Sequence, residues 1–236
     1  MADGIYISMC GAVARSEQLD SIADNLANAQ TPGFKASRPA FETFMAPSGA
    51  QDKQYAAAVA TAFDLRAGPT ARTGNALDVL PGDGAFLGVQ QPDGSTAYTR
   101  DGRLTLDADR RLVSGAGKLV LDTSGQPISV PPDLNPSVDE HGRVHAGDID
   151  LGHLARFRLD GPVERIGPTL LAPAEGGRAI LVDASVRSGE VELGNSTALE
   201  ATLAMVSAQR SYDTSMQAIQ TYRQLDSRAT ELGRTR

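Results

Sequence analysis

The sequence predicts an α+β fold, with a long α-helix at each end of the chain and a β-rich antiparallel domain between them. Apolar residues recur at helical spacing near both ends, and the middle alternates short apolar runs with Gly-containing turns. The 236 residues are 41% hydrophobic, which is enough for a folded core. We divide the chain into 1–34 together with 190–236 as a terminal-helix domain, 35–74 as an extended connector, and 75–189 as a β-rich outer domain.

The N-terminal helix is predicted over residues 4–29. Its apolar positions lie at spacings near three and four residues or their multiples, and charged residues fall elsewhere on the helical wheel. Thr31-Pro32-Gly33 ends it, because proline disfavours the α conformation in the preceding residue and glycine accepts positive φ. The apolar positions are Ile5, Met9, Ala12, Leu19, Ile22 and Leu26.

Residues 35–74 contain prolines and glycines that interrupt any long element, among them Pro39, Pro47 and Gly68. We interpret this stretch as an extended connector with some strand character near residues 55–65. From residue 75 to about 186, turn signals such as Gly82-Asp83-Gly84 and Pro92-Asp93-Gly94 separate runs of strand length. This spacing predicts an antiparallel sheet or barrel made of hairpins.

The C-terminal helix is predicted over residues 196–231. Thr197 and Glu200 have the spacing of a capping box, and no Pro or Gly follows before Gly233. Helices at both ends of the chain must each bury an apolar stripe. Two arrangements are open: a helix hairpin within one chain, or coiled-coil-like pairing with neighbouring subunits. The stripe consists of Leu199, Leu203, Val206, Met216, Ile219, Tyr222 and Leu225.

Composition and motifs argue against several classes of function. The net charge is −7 and no Lys/Arg run forms a basic patch, so nucleic-acid binding is disfavoured. Only 5% of residues are aromatic, which disfavours a small-molecule pocket and hence a small-molecule substrate. The single cysteine, Cys10, cannot form an intramolecular disulfide, and no apolar run is long enough for membrane insertion. The first residues lack the pattern of a cleaved signal peptide.

No constellation of catalytic or metal-binding residues emerges from the sequence. His141 and His145 have a spacing that suits a metal on a helix, but Asp139-Glu140-His141-Gly142 reads as a hairpin turn. The glycines near Gly82 do not fit a phosphate-binding loop. We therefore expect no enzyme activity, no catalytic residue, no cofactor and no metal.

Recognisable motifs follow one another in order along nearly the whole chain. They are DNLANAQTPGFK (24–35), TGNALDV (73–79), GDGAF (82–86), YTRDG (98–102), DADRRLV (107–113), AQRSY (208–212) and AIQT (218–221). This series resembles the axial proteins of the bacterial flagellum, the basal-body rod and hook family. Arg110 stands where the family usually has a turn glycine, and Ala85 where it has phenylalanine.

The resemblance implies a structural subunit that polymerises helically into the hollow, periplasm-spanning rod, which transmits torque for motility. It implies other copies of the chain, other rod subunits and the flagellar type III export apparatus as partners, with export that uses no cleaved signal peptide. Within the family, the length and short connector are most similar to proximal rod subunits. The alternatives are a distal rod or hook paralog and, more distantly, a β-rich secreted enzyme or carbohydrate-binding module.

The motifs and the helical stripes together give a set of expected assembly residues. They are Ile5, Leu19, Asn25, Leu26, Asn28, Thr31, Gly33, Phe34, Leu199, Leu203, Val206, Gln209, Arg210, Tyr212, Met216 and Ile219.

Overall fold

A computed structural model describes residues 2–45 and 54–234, and the side chains of residues 8–38, 62–225 and 227–228 within them. Helices α1 (Ala2–Ala27) and α2 (Ala198–Arg234) enclose the strands in sequence, and neither has an apolar stretch that could cross a membrane within these residues. The α+β class is confirmed. The strands are β1 (Ser37–Met45), β2 (Gln54–Phe63), β3 (Thr70–Arg72), β4 (Val79–Pro81), β5 (Phe86–Gln90), β6 (Thr96–Thr99), β7 (Leu104–Leu106), β8 (Leu112–Ser114), β9 (Leu119–Val120), β10 (Ser137–Val138), β11 (Arg143–Ala146), β12 (Ile149–His153), β13 (Arg156–Asp160), β14 (Val163–Gly167), β15 (Leu170–Pro173), β16 (Arg178–Leu181), β17 (Val186–Ser188) and β18 (Glu190–Glu192).

The chain forms two compact units. Unit 1 comprises Met1–Ala27, Ser37–Ala62 and Thr197–Arg236, and unit 2 comprises Asn28–Ala36 and Phe63–Ser196. The stretch 35–74, which we predicted to be an extended connector, contains β1, β2 and β3. Strands β1 and β2 pair in a two-stranded sheet, so most of this stretch belongs to unit 1 with the helices.

In unit 1, α1 packs against both α2 and β1. The Asn25 side chain holds the start of β1 on the helix: its Nδ2 donates to the Ser37 carbonyl at 2.8 Å, and the Ser37 N–H donates to its Oδ1 at 2.9 Å. The helices approach closely where α1 has no side chain, since a Cβ on Gly11 would lie 3.8 Å from Ser215 Oγ.

The covered face of α2 repeats at alternating spacings of four and three residues, as one face of a packed helix does. Small side chains alternate with larger ones on this face, so it holds only some of the large apolar residues of α2. It consists of Ala201, Met205, Ala208, Tyr212, Ser215 and Ile219, all buried or half-buried.

The predicted apolar stripe of α2 divides between different faces of the helix. Between Val206 and Met216 the chain advances ten residues, which at about 100° per residue carries Met216 well away from the face of Val206. As a result, Ile219 lies on the covered face while Leu199 and Leu203 lie on the opposite, exposed face.

A nine-stranded sheet supplies the core of unit 2. Seven strands run in the order β14-β15-β6-β5-β9-β8-β7, and β13 pairs with β5 and β16. All of these pairings are antiparallel, as predicted. Smaller sheets pair β10-β11-β12, β17-β4 and β18-β3. The centre of the main apolar cluster is formed by Leu87, Val89, Leu104, Leu112, Val120 and Leu154.

Five hairpin turns in unit 2 share one five-residue geometry. In each, the first residue's N–H donates to the fifth residue's carbonyl, and the fourth residue's N–H donates to the first residue's carbonyl. The fourth residue has positive φ, which favours glycine. The turns span 91–95, 107–111, 114–118, 122–126 and 139–143.

Arg110 is the exception among the fourth residues, with φ of 62°. A side chain in this conformation costs about 1–2 kcal/mol. The Arg110 guanidinium offsets part of that cost, because it donates to the carbonyls of Pro131 (2.9 Å) and Leu134. The departure from glycine therefore ties this turn to the loop after Val130.

Three of these turns begin with an aspartate whose carboxylate accepts backbone N–H groups. Burial raises the pKa of Asp122, but the hydrogen bonds from Ser124 and Gln126 outweigh it and hold the pKa below 3.8. For Asp107 the backbone hydrogen bond from Arg111 is the largest cause of the lowered pKa. Burial likewise raises the pKa of Asp139, but its hydrogen bonds outweigh this effect and hold the pKa below its ordinary value.

We expect these turns to make the protein sensitive to acid. Since the folded pKa of each aspartate lies below the unfolded value, their stabilisation is present above about pH 4 and is lost as the pH falls further. Calorimetry should show the unfolding temperature dropping between about pH 5 and about pH 3. The triple change Asp107→Asn, Asp122→Asn and Asp139→Asn should flatten this drop, and an unchanged pH dependence would contradict the assignment.

Candidate assembly surfaces

Three charged side chains of unit 2 meet in its interior and form what we call the junction cluster: Lys35, Arg100 and Glu192. Their side chains are 2%, 3% and 1% exposed. Lys35 Nζ lies 2.6 Å from Glu192 Oε1, and Arg100 Nε donates to Glu192 Oε2 at 2.8 Å, joined by a second bond from Nη2. Each carboxylate oxygen therefore holds one cation.

Backbone groups complete the junction cluster. The ammonium of Lys35 also donates to the Arg66 carbonyl at 2.7 Å, and the buried guanidinium donates to the Ala85 carbonyl. The Gly68 N–H donates to the carboxylate at 2.9 Å. Buried charges are tolerated only when their remaining hydrogen-bonding capacity is used, and these backbone partners meet that need.

The cluster shifts the pKa of two of its members in the same direction. Burial lowers the pKa of Lys35, with Glu192 opposing this and Arg100 adding to it. Burial raises the pKa of Glu192, but the charges of Arg100 and Lys35 outweigh it, so the carboxyl pKa lies below its ordinary value. The carboxylate is therefore ionised at neutral pH and provides the negative charge of the cluster.

Asn195 joins the segment that follows α1 to the segment that follows β2. Its Oδ1 accepts the Ala36 N–H at 2.7 Å, and its Nδ2 donates to the Asp64 carbonyl at 2.6 Å. Its backbone N–H also donates to the Phe34 carbonyl at 3.4 Å. One side chain thus fixes two stretches of chain immediately before α2 begins.

The last three residues of the T-P-G-F-K motif, Gly33, Phe34 and Lys35, are buried in unit 2. Gly33 has φ of 74°, and a Cβ there would overlap the backbone of Arg100 and Asp101. Phe34 is fully buried, and the Arg165 guanidinium lies 4.4 Å from its ring centroid and donates to the Lys35 carbonyl. The glycine and the phenylalanine are therefore required by close packing inside this unit.

Unit 1 carries an exposed apolar surface on α2. Leu199, Leu203 and Val206, which we call the outer ridge, are 71%, 65% and 43% exposed. They lie on the face opposite the one that α2 presents to the rest of unit 1, and Arg210 continues the same line. Three large aliphatic side chains in a row on one helix face are a surface that a partner would cover.

The expected assembly residues occupy three environments. The buried ones are Asn25, Gly33, Phe34 and Ile219. The half-buried ones are Leu19, Leu26, Asn28, Thr31 and Tyr212. The exposed ones are Leu199, Leu203, Val206, Gln209, Arg210 and Met216. The side chain of Ile5 lies outside the described side chains. For all of these residues, a part in assembly remains a prediction.

The sequence interpretation did not single out the junction cluster. Lys35 and Arg100 stand inside quoted motifs, but nothing in the sequence connects them with Glu192 or shows that they are buried. Within the described residues, no group of three or more His, Cys, Asp and Glu is arranged to hold a metal ion. The chemistry of the cluster, in which two enclosed cations share one carboxylate, suits holding segments of chain together.

Family comparisons match three stretches of the chain in order. The model described as "Flagella basal body rod protein" matches residues 5–35, "Flagellar hook protein FlgE/F/G D1 domain" matches 79–146, and "Flagellar basal body rod FlgEFG protein C-terminal" matches 187–232. Together they cover more than half of the chain. The chain belongs to the flagellar basal-body rod protein family. The predicted structural, non-enzymatic role in the rod of the flagellar basal body is confirmed.

Individual relatives of this rod protein agree along most of their length. The flagellar basal-body rod protein FlgF of Mesorhizobium japonicum is 29% identical over 219 residues, and FlgF of Caulobacter vibrioides is 29% identical over 227 residues, each covering 90% of both chains. FlgG of Buchnera aphidicola subsp. Schizaphis graminum is 28% identical over 269 residues, covering 98% of this rod protein and all of the relative. The similarity therefore extends to FlgF and FlgG alike.

Proposed function

We propose that this rod protein is a proximal rod subunit that polymerises helically, with other copies of itself and with other rod subunits, into the hollow driveshaft through the periplasm. The terminal helices, residues 1–34 and 190–236, carry the assembly contacts as a coiled-coil-like inner domain, and 75–189 form the outer domain. The outer ridge is the observation that carries this proposal, because it is an apolar helix face left uncovered within one chain.

The two faces of α2 have different tasks in this proposal. The covered face, with its alternating spacing and a small side chain at every second position, supports close pairing with α1 inside one subunit. The outer ridge remains available for a neighbouring subunit, where burying each Leu or Val side chain contributes about 1.5–3 kcal/mol. Met9 and Val13 give α1 an exposed apolar surface as well. Torque then passes through many packed helices, without a catalytic residue.

The lengths of the alignments favour the proximal position. The FlgG alignment of 269 positions is longer than this 236-residue chain, so that relative has residues which this chain lacks. The FlgF alignments of 219 and 227 positions cover 90% of this chain, so the excess of residues in those relatives is much smaller. A distal rod or hook paralog is the alternative. We also propose export through the flagellar type III apparatus without a cleaved signal peptide, as the family resemblance implies.

Locating the subunit in isolated basal bodies tests this assignment. The turn at 122–126 has exposed residues at Thr123 and Ser124, so a short peptide tag inserted between them should leave the sheet intact. Gold-labelled antibody against the tag should mark the membrane-proximal part of the rod in electron micrographs, and untagged basal bodies should stay unmarked. Labelling at the distal rod or hook would favour the paralog, and a tagged, motile strain whose basal bodies lack the label would refute the proposal.

A further inference from the structure

The junction cluster lies within unit 2, and its members and their partners stand within a few residues of three of the four points at which the chain passes between the units. These passages follow residues 27, 36, 62 and 196. Lys35 and Phe34 stand between the first two, Asp64 and Arg66 follow the third, and Glu192 precedes the fourth. The buried carboxylate of Glu192 thus binds Lys35, which is 157 positions away in the sequence.

Backbone contact extends this arrangement to the residues next to α1. A Cβ on Gly194 would lie 2.7 Å from the Ala29 carbonyl oxygen and 2.8 Å from that of Asn28. The Gly33 N–H also donates to the Glu192 carbonyl at 2.8 Å. The segment that leaves α1 and the segment that leads to α2 therefore touch directly within unit 2, and neither can slide without disturbing the other.

A cluster of buried ions adds little to the free energy of unfolding, but it defines the relative positions of the segments that carry the ions. Removing charges from water costs free energy that their attraction barely repays, so well-packed apolar replacements are often equally stable. Apolar contacts, however, are non-directional, whereas here each carboxylate oxygen has one cation at a defined distance. The cluster selects one alignment of the segments that it joins.

We infer that Lys35, Arg100 and Glu192 are positioning residues for assembly, which fix the segments bordering both terminal helices in the single alignment that allows the subunit to join the rod. This inference rests on the proposed function and deepens it. The three residues act through the chain segments that they hold, and their own side chains stay buried.

An apolar replacement of the whole cluster separates positioning from stability. The triple variant Lys35→Met, Arg100→Met and Glu192→Leu keeps similar volumes and removes all three charges. We expect it to stay folded, because no unpaired charge remains, with a urea unfolding midpoint lowered only by the backbone hydrogen bonds that Arg66, Gly68 and Ala85 lose. We expect it to be lost from isolated basal bodies and to leave cells non-motile in soft agar. A folded triple variant that assembles normally would overturn the inference.

Two further variants keep the outcome decisive. Leu203→Asp in the same assay tests the proposed function: if both variants assemble, the proposed function fails, and if only the triple variant assembles, the positioning inference alone fails. Should the triple variant not fold, Glu192→Asp replaces it, since its shorter side chain keeps the charge but cannot hold both cations. Loss of incorporation in folded Glu192→Asp supports the inference, and normal incorporation refutes it.

Discussion

Changing Leu203 to Asp is expected to abolish incorporation of the subunit into basal bodies while leaving its free energy of unfolding within about 1 kcal/mol of the original. Leu203 is 65% exposed at the centre of the outer ridge, so the isolated chain loses little packing. In the assembled rod the same position would be covered by a neighbour. A carboxylate there would lose its hydration without a partner, which costs several kcal/mol at each repeated contact.

Quantitative immunoblotting of purified basal bodies, together with swimming in soft agar, measures this effect. Gln220→Asp is the matched control, because it places the same charge at an exposed position of α2 outside the outer ridge. Urea unfolding of both purified variants checks that the fold is retained. Intact basal bodies and normal motility with Leu203→Asp would contradict the assembly role of the ridge, as would an equal loss with Gln220→Asp.

Changing Glu192 to Gln is expected to lower the free energy of unfolding by about 3–5 kcal/mol. The amide keeps the shape of the side chain but removes its charge, so the cations of Lys35 and Arg100 stay buried without a counter-charge. The large effect reflects the cost of unpaired buried charge, and it is consistent with a small net contribution from the intact cluster.

Glu190→Gln is the natural comparison, since it lies in the same strand, β18. Its partners Arg72 and Arg187 have side chains that are 90% and 60% exposed, so the change should cost only about 0–1 kcal/mol. Urea titrations followed by circular dichroism give both values. Similar losses of unfolding free energy in the two variants would contradict the prediction that burial of the charges causes the large effect at Glu192.

The sequence was informative wherever the deciding interactions are local. The hairpin turns are specified by residues within five positions of one another, and a glycine at the fourth position marks four of the five in the sequence. Both helices were predicted for the same reason, and Thr197 caps α2, since its Oγ1 accepts the Glu200 N–H at 3.2 Å. The hydrogen bonds from the Arg110 guanidinium were not predicted, because their acceptors lie in a neighbouring loop.

The orientation of α2 was harder to predict, because several of its largest apolar residues are exposed while small residues are buried. Ala201, Ala208 and Ser215 face the rest of unit 1 and contribute little to an apolar pattern, whereas Leu199 and Leu203 dominate the pattern and are exposed. A search for large apolar residues finds the outer ridge first. The covered face carries small as well as large side chains, and the spacing of four and three residues between its successive positions is the better indicator of it.

The junction cluster and the pairing of β1 with β2 could not be predicted from the sequence for a different reason. A single Lys, Arg or Glu is most often on the surface, and only the fold shows that Lys35, Arg100 and Glu192 converge. Pro39 and Pro47 made residues 35–74 resemble a connector, although β1 and β2 pair there. The members of the cluster are distant from one another in the sequence, and the turn-forming prolines conceal the strand pattern of β1 and β2.

The separation of 157 residues between Lys35 and Glu192 imposes an order on folding. Hairpin turns of five residues can close as soon as each has emerged, since short loops form in microseconds or faster. The cluster has no carboxylate until nearly the whole chain is available. A polypeptide that appears from its N-terminus can therefore form its hairpins one by one while the segment after α1 waits, and the last strand before α2 then joins that segment to the end of the chain.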